Sequence, residues 1–360
     1  MRRPRQSWST AARPPKHLRS ALARLLVHAM LRCRLLNQCC FKGPMSPLQL
    51  KNVFSCLAQL GCALVLLVWT VAPGNAGKAE YVNLAKRGWG YQLRTNMLGR
   101  DLSIPVRIHA RSFAGAALCI VGDRPQAQTL EVINAFRALW ADAFLKPMPM
   151  RYAGRAGRDC GSGRVVTLRL YSGAPPNRDL SDDLAWMNEI YGLGLPTGRF
   201  YAATSPAMGQ TFFGRRGQGT HIMVSQPDRP VSGIEAQFFR SILIEELFQA
   251  FTFGMDVLLF TRDGSFLSKL QEYPVNPRRL IWTSEPFMRA ILRSNPPGLC
   301  EFDVFMLHAV AQAQVEQTND PDFISYVERD YDRLLGQTRR ALADDRFAPI
   351  LDPDCAPLRD

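Results

Sequence analysis

QFFRSILIEELFQAFTFGMD, residues 237–256, is the stretch on which the reading of this chain turns. At helical spacing, Phe238, Phe239, Ile242, Leu243, Ile244, Leu247, Phe248 and Phe251 leave almost no polar face. A helix that is apolar all round is normally a buried one. Yet Glu245, Glu246 and Gln249 sit inside the run. Positions 245 and 249 lie one turn apart, as do 246 and 249, so each pair shares a face. A carboxylate in a core is costly unless it is paired, hydrogen-bonded, metal-bound or protonated. These three side chains therefore have a task, structural or functional.

The spacing is that of the zinc-peptidase motif HExxH. Glu245 and Gln249 replace the two metal-binding histidines, and Glu246 keeps the place of the general base. Beyond residue 76 the chain has only three histidines, His109, His221 and His308. Gln249 is a poor zinc ligand, so no cofactor is expected. Zinc remains the one metal to test, with Glu245 and Asp256 as oxygen donors. His221 opens the strand before the helix, and two readings stand: a structural histidine satisfied by its own partners, which is favoured, or a binding residue that approaches Glu245 or Glu246. Those two glutamates project about 100° apart, so they cannot flank one bond as glycosidase acids do. One of them with Asp256 or Asp263 is the remaining acid pair. No GxSxG elbow offers a nucleophile.

EELFQAFTFGMD, followed by GSF at 264–266 and a helical stretch through 285–310, resembles an uncharacterised family of secreted bacterial proteins classed as a domain of unknown function. That family's pattern is roughly EExxQAxGLxxD followed by a serine-containing turn. Glu245, Glu246, Gln249, Ala250, Asp256, Ser265 and Phe266 match it. Thr252 stands where the pattern has glycine, and Phe253 where it has leucine. The resemblance covers about Ile234–Ala311. It implies a zinc-peptidase-like (zincin-like) fold with degenerate metal ligands and carries no established activity.

Outward from this helix, the expected order is α+β: a small mixed sheet packed on the buried central helix, with helices closing the chain. Strand composition marks Leu102–Ile108, Ala117–Val121, Met148–Tyr152, Val165–Tyr171, Arg199–Ala203 and Thr220–Ser225. A loop with four glycines (209, 214, 217, 219) separates the last two. Helices are expected over Pro125–Leu145, Ser181–Tyr191, Glu285–Arg293, Glu301–Gln317 and Pro321–Ala343. In zinc-peptidase-like folds an edge strand beside the active helix pairs with extended peptide. His221–Gln226 is the expected strand here.

Net charge is +13, but residues 1–76 hold eleven basic side chains and no acidic one. The remainder is nearly balanced at +2, which argues against a nucleic-acid partner. Cys62–Ala72 is an eleven-residue apolar core, shorter than the about 20 residues a bilayer span needs. With Gly74 and Ala76 at the positions of a signal-peptidase cut, residues 45–76 read as a signal peptide and 1–44 as an upstream extension. The rival is an uncleaved anchor that meets the membrane only through residues 52–71. Residues 77–360 form a single exported domain, with Gly77–Arg100 a loose lead-in and the family-like core at about 101–311. It would be periplasmic or secreted, or membrane-anchored with the domain outside the cytoplasm.

Cys119, Cys160, Cys300 and Cys355 lie in that domain, an even number without CxxC that suggests two disulfides. Of the three pairings, Cys119–Cys160 with Cys300–Cys355 is preferred because it closes local loops. The expected function is non-catalytic binding of a protein or peptide in the cell envelope, through Glu245, Gln249, Asp256 and His221. The alternative is a hydrolase with a non-standard carboxylate or metal site at Glu245, Glu246 and Asp256, with Glu246 catalytic. Solvent access to Glu246, with Asp256 or His221 within ligand reach, would favour the enzyme. A sealed helix with paired carboxylates would favour structure or binding.

Overall fold

A computed structural model describes residues 77–91, 104, 106–258, 267–272, 279–352 and 355. The upstream extension, the signal segment, Asp263 and the Ser265–Phe266 turn lie outside these residues.

The described part of the lead-in, residues 77–91, is not loose. Helix α1 (Lys78–Gly88) buries Tyr81, Val82, Leu84 and Ala85 on one face. The Tyr81 ring meets Phe302, Phe305 and Tyr331 edge-on. Trp89 follows the helix and donates its indole N–H to the Thr252 carbonyl, 2.9 Å away. The charged residues that made the segment look like a linker cover the outer face of an amphipathic helix.

A five-stranded sheet follows: β1 (Ala117–Gly122), β2 (Met150–Gly154), β3 (Val165–Tyr171), β4 (Ala207–Gly214) and β5 (Gly217–Ser225). Its order is β2-β1-β3-β5-β4. All neighbours run parallel except β4, which returns antiparallel along β5. Helix α2 (Ala127–Phe144) crosses from β1 to β2, and α3 (Asn177–Tyr191) lies between β3 and β4. The described part of the expected 102–108 strand, residues 104 and 106–108, belongs to no strand.

The Arg199–Ala203 strand is also absent, and the glycine-bearing loop after it is itself the β4–β5 hairpin. The glycines answer to crowding rather than to looping. A Cβ at Gly214 would stand 2.1 Å from the Tyr191 carbonyl oxygen. Strand β3 alternates in sequence, as expected, yet is buried along nearly its whole length. Helix α3 covers its polar face, and Arg169 there is neutralised rather than solvated.

Helix α4 (Gly233–Thr252) is the central element. It packs on β4 and β5 and against α2, α5 (Glu285–Ser294) and α6 (Glu301–Gln312). Two-residue strands β6 (Val257–Leu258) and β7 (Gln271–Glu272) pair in parallel just beyond it. The expected closing helix breaks at Asp330 into α7 (Pro321–Arg329) and α8 (Tyr331–Leu342). Both expected cysteine pairs stand at disulfide distance, with Cα separations of 5.8 Å for Cys119–Cys160 and 5.5 Å for Cys300–Cys355. Such pairs are compatible with an extracellular location. Among the described residues no helix is long and apolar enough to cross a membrane.

Candidate functional site: a carboxylate cleft beside the edge strand

Sequence periodicity buries α4, and its few polar side chains come out together near its C-terminal end. Glu245 is mostly buried. Its Oε1 accepts from Asn295 Nδ2 at 3.1 Å, and its Oε2 lies 3.7 Å from Lys269 Nζ. Lys269 is completely buried, and its ammonium also donates to Ser241 Oγ (2.9 Å), to the Pro296 carbonyl (2.8 Å) and to Asn295 Oδ1. Its backbone N–H donates to both oxygens of buried Asp303, each at 3.1 Å. Lys269 thus ties α4 to the starts of α6 and β7. Burial pulls its pKa below the usual lysine range, and Glu245 and Asp303 push it back.

The β6–β7 pairing carries Asp256 and Glu272 toward Glu245. The carboxylates of Glu245, Asp256 and Glu272 lie within 4.8 Å of one another. Gln249 does not join them as a ligand; its amide donates to Asp256 Oδ1. Glu246 takes a different direction, as the helical angle requires. It points at the sheet, into room left by the missing side chain of Gly209 in β4. A Cβ at Gly209 would stand 2.6 Å from Glu246 Oε2. Glu246 is half-buried and has no hydrogen bond or ion pair among the described residues. Burial raises its pKa well above the ordinary carboxylate value, and the charges of Glu245, Asp256 and Glu272 raise it further against the opposing pull of Lys269. The shift favours the neutral form of Glu246, which can donate a hydrogen bond, as apolar sites do for carboxyl groups. Glu245 is raised too, by burial first, with Lys269 pulling it back.

These shifts set a pH dependence. A carboxyl with a raised folded pKa stays protonated between the unfolded value, about 4.3, and its folded value. The unfolded chain has lost that proton, so stability falls as pH rises through the window. Unfolding in urea at pH 5.5 and pH 8 is expected to give lower stability at pH 8. Glu246→Gln is expected to flatten the difference. An unchanged slope in that variant would assign the effect elsewhere.

His221 does not approach the cluster. It shares the α3 side of β5 with Met223, whereas Ile222 and Val224 face α4. Its Nε2 lies 2.9 Å from Asp183 Oδ2 on α3. Asp183 also takes a two-pronged bond from Arg169, Nε and Nη2 each at 2.7 Å, and a 2.8 Å bond from the Gly157 N–H. His221 is thus part of a sealed ion cluster across the sheet from Glu245. His109 caps a short turn by accepting from the Arg111 N–H, and buried His308 lines a cleft between α2, α6 and α8.

Sequence reasoning missed Lys269, Glu272, Asn295 and Asp303. Each lies twenty or more residues beyond Gln249 and carries no spacing signal of its own. The Arg169–Asp183 pair had one faint sign, an arginine in an otherwise apolar strand.

The donor set does not suit zinc. Among the described residues the acid cluster contains no histidine or cysteine, and zinc sites are built from those ligands. Carboxylates alone suit harder cations such as calcium, magnesium or manganese. Comparison of the chain with protein-family models, curated proteins and solved structures finds no match.

Proposed function

We propose that this chain is an exported binding protein of the cell envelope that holds an extended peptide along the outer edge of β4 without cutting it, in a zincin-like frame whose metal site has degenerated. The observation that carries the reading is the pairing of a free strand edge with an unpaired acid. β4 ends the sheet, and no described strand pairs with its outer side. An unpaired edge offers a row of N–H and C=O groups for strand addition. The strand expected in that place, His221–Gln226, falls on β5 as far as Ser225 and lies inside the sheet between β3 and β4. The role passes to β4, which lies closer to Glu246.

Glu246 lies against β4 at Gly209, and its neutral form, which the raised pKa favours, is a donor for a peptide carbonyl. Around it, Glu245, Asp256 and Glu272 outnumber the single Lys269, whose hydrogens are turned inward to Ser241, Pro296 and Asn295. That balance favours a peptide with basic side chains.

Gly209→Val is the direct test. The added side chain displaces Glu246 from its recess and narrows the edge. It is expected to weaken binding of a fluorescent lysine-containing extended peptide by about tenfold or more, roughly one or two lost hydrogen bonds. Unfolding in urea is expected to change little. Unaltered affinity in the variant would remove β4 from the binding surface.

A second reading rests on the convergence of Glu245, Asp256 and Glu272. A hard divalent cation held there, with Glu246 as base, would make the protein a hydrolase. Asp256 is exposed, and Glu246 is partly open to solvent. Three contacts favour the binding reading. Gln249 already occupies Asp256, and Asn295 and Lys269 already occupy Glu245.

A further inference from the structure

The cleft between α2, α6 and α8 holds an anomaly that the carboxylate site does not explain. His308 is 3 % exposed, and neither of its ring nitrogens has a hydrogen-bond partner. Leaving a buried polar group unsatisfied costs about 1–3 kcal/mol, so such groups call for a reason. Burial lowers its pKa to about 4, with Asp142 raising it and Arg340 and Arg333 lowering it, so the ring is neutral at physiological pH. A neutral imidazole offers one donor and one acceptor. No hydrogen bond holds this ring in place, so none is broken when it turns toward the cleft.

That cleft has a volume of about 640 Å³. Two free charges of opposite sign stand at its rim. Asp142 ends α2 and Arg340 lies in the last turn of α8, and neither makes an ion pair or hydrogen bond among the described residues. Arg346 pairs with Asp344 and acts on Asp142 only through space. The same cleft has apolar lining from Ala143, Ala341 and Phe347, beside the polar Gln312, Gln337 and Asp344. A metal ion does not fit, because no described trio of acid, histidine or cysteine ligands includes His308.

We propose that this cleft is a binding site for a free α-amino acid with an apolar side chain, its ammonium on Asp142, its carboxylate on Arg340 and its side chain against Ala143, Ala341 and Phe347, with His308 completing the polar contacts. A simple anion would be repelled by Asp142 and a simple cation by Arg340. A zwitterion satisfies both. The site is independent of the β4 edge.

The test uses L-leucine as probe, with leucinamide and N-acetylleucine as forms blocked at one charge. Binding is followed by calorimetry and by the ring signals of isotope-labelled histidine. Leucine is expected to bind saturably and to shift the His308 signals, and each blocked form to bind at least about tenfold more weakly. Arg340→Gln and Asp142→Asn lie at the rim, where the fold does not depend on them, and each is expected to weaken leucine binding about tenfold. An absence of saturable binding overturns the proposal. So does equal binding of leucine and a blocked form, or unchanged affinity in the two rim variants.

Discussion

Replacing Lys269 by methionine is expected to destabilise the protein by about 3–5 kcal/mol, the usual cost of removing one partner from a buried charged network. Methionine keeps most of the volume, so the loss falls on the ammonium. Ser241 Oγ, the Pro296 carbonyl and Asn295 Oδ1 all lose their donor at once inside the core. Glu245 loses its one ion-pair partner among the described residues. A comparison decides which loss dominates. Glu245→Gln keeps an oxygen for Asn295 Nδ2 and gives up only the charge facing Lys269 at 3.7 Å. It is expected to cost under about 1 kcal/mol, the scale of one modest hydrogen bond. Urea unfolding of the two variants measures both. A cost for Lys269→Met no larger than that for Glu245→Gln would show that the lysine serves the acids rather than the fold.

Asp183→Ala is expected to cost about 3–5 kcal/mol as well, because it leaves the guanidinium of Arg169 buried without its carboxylate. Arg169 is 1 % exposed and cannot turn to water. Its remaining contacts are the Arg155 carbonyl at 3.0 Å and exposed Asp179 at 3.3 Å. The same cluster gives an acid-side pH effect of opposite sign to that of Glu246. Burial pushes the Asp183 carboxyl up, but the bonds and charges of His221 and Arg169 outweigh it, and its pKa lies below the ordinary value. Its stabilisation is therefore complete above the unfolded value, about 3.9, and is lost as pH falls through the lower folded value. Acid unfolding of wild type beside Asp183→Asn measures this. A variant that unfolds at the same pH with the same urea sensitivity would contradict the assignment.

The two effects together define where the sequence is readable. The α4 helix was legible because eight apolar residues at helical spacing leave only one reading. Strands β1, β3 and β5 carry their own apolar runs and were legible too. Strand β4 was not. Its glycines, which composition reads as a loop, are there because Tyr191 and Glu246 press on the hairpin from its two sides. The α1 helix was hidden by its charged outer face. The site was half legible. Glu245, Glu246, Gln249 and Asp256 announce themselves as polar residues at or next to a buried run, and Gln249 and Asp256 do meet. Lys269, Glu272 and Asn295 reach the cluster only through tertiary folding. His221 fell on the wrong side for a simple reason. The alternation of a strand sends neighbours to opposite faces, and sequence alone did not say which face meets α4.

The central claim is that peptide docks on the outer edge of β4 and stays whole. Hydrogen exchange of the β4 amides, read with and without a mixture of lysine-containing extended peptides, tests it most directly, because the masses of the peptides are read from the same samples. Slowed exchange across Met208–Phe213 with every peptide intact is the predicted result. Peptides shortened by wild type but not by Glu246→Gln, or β4 amides that exchange at the same rate with and without peptide, would contradict it.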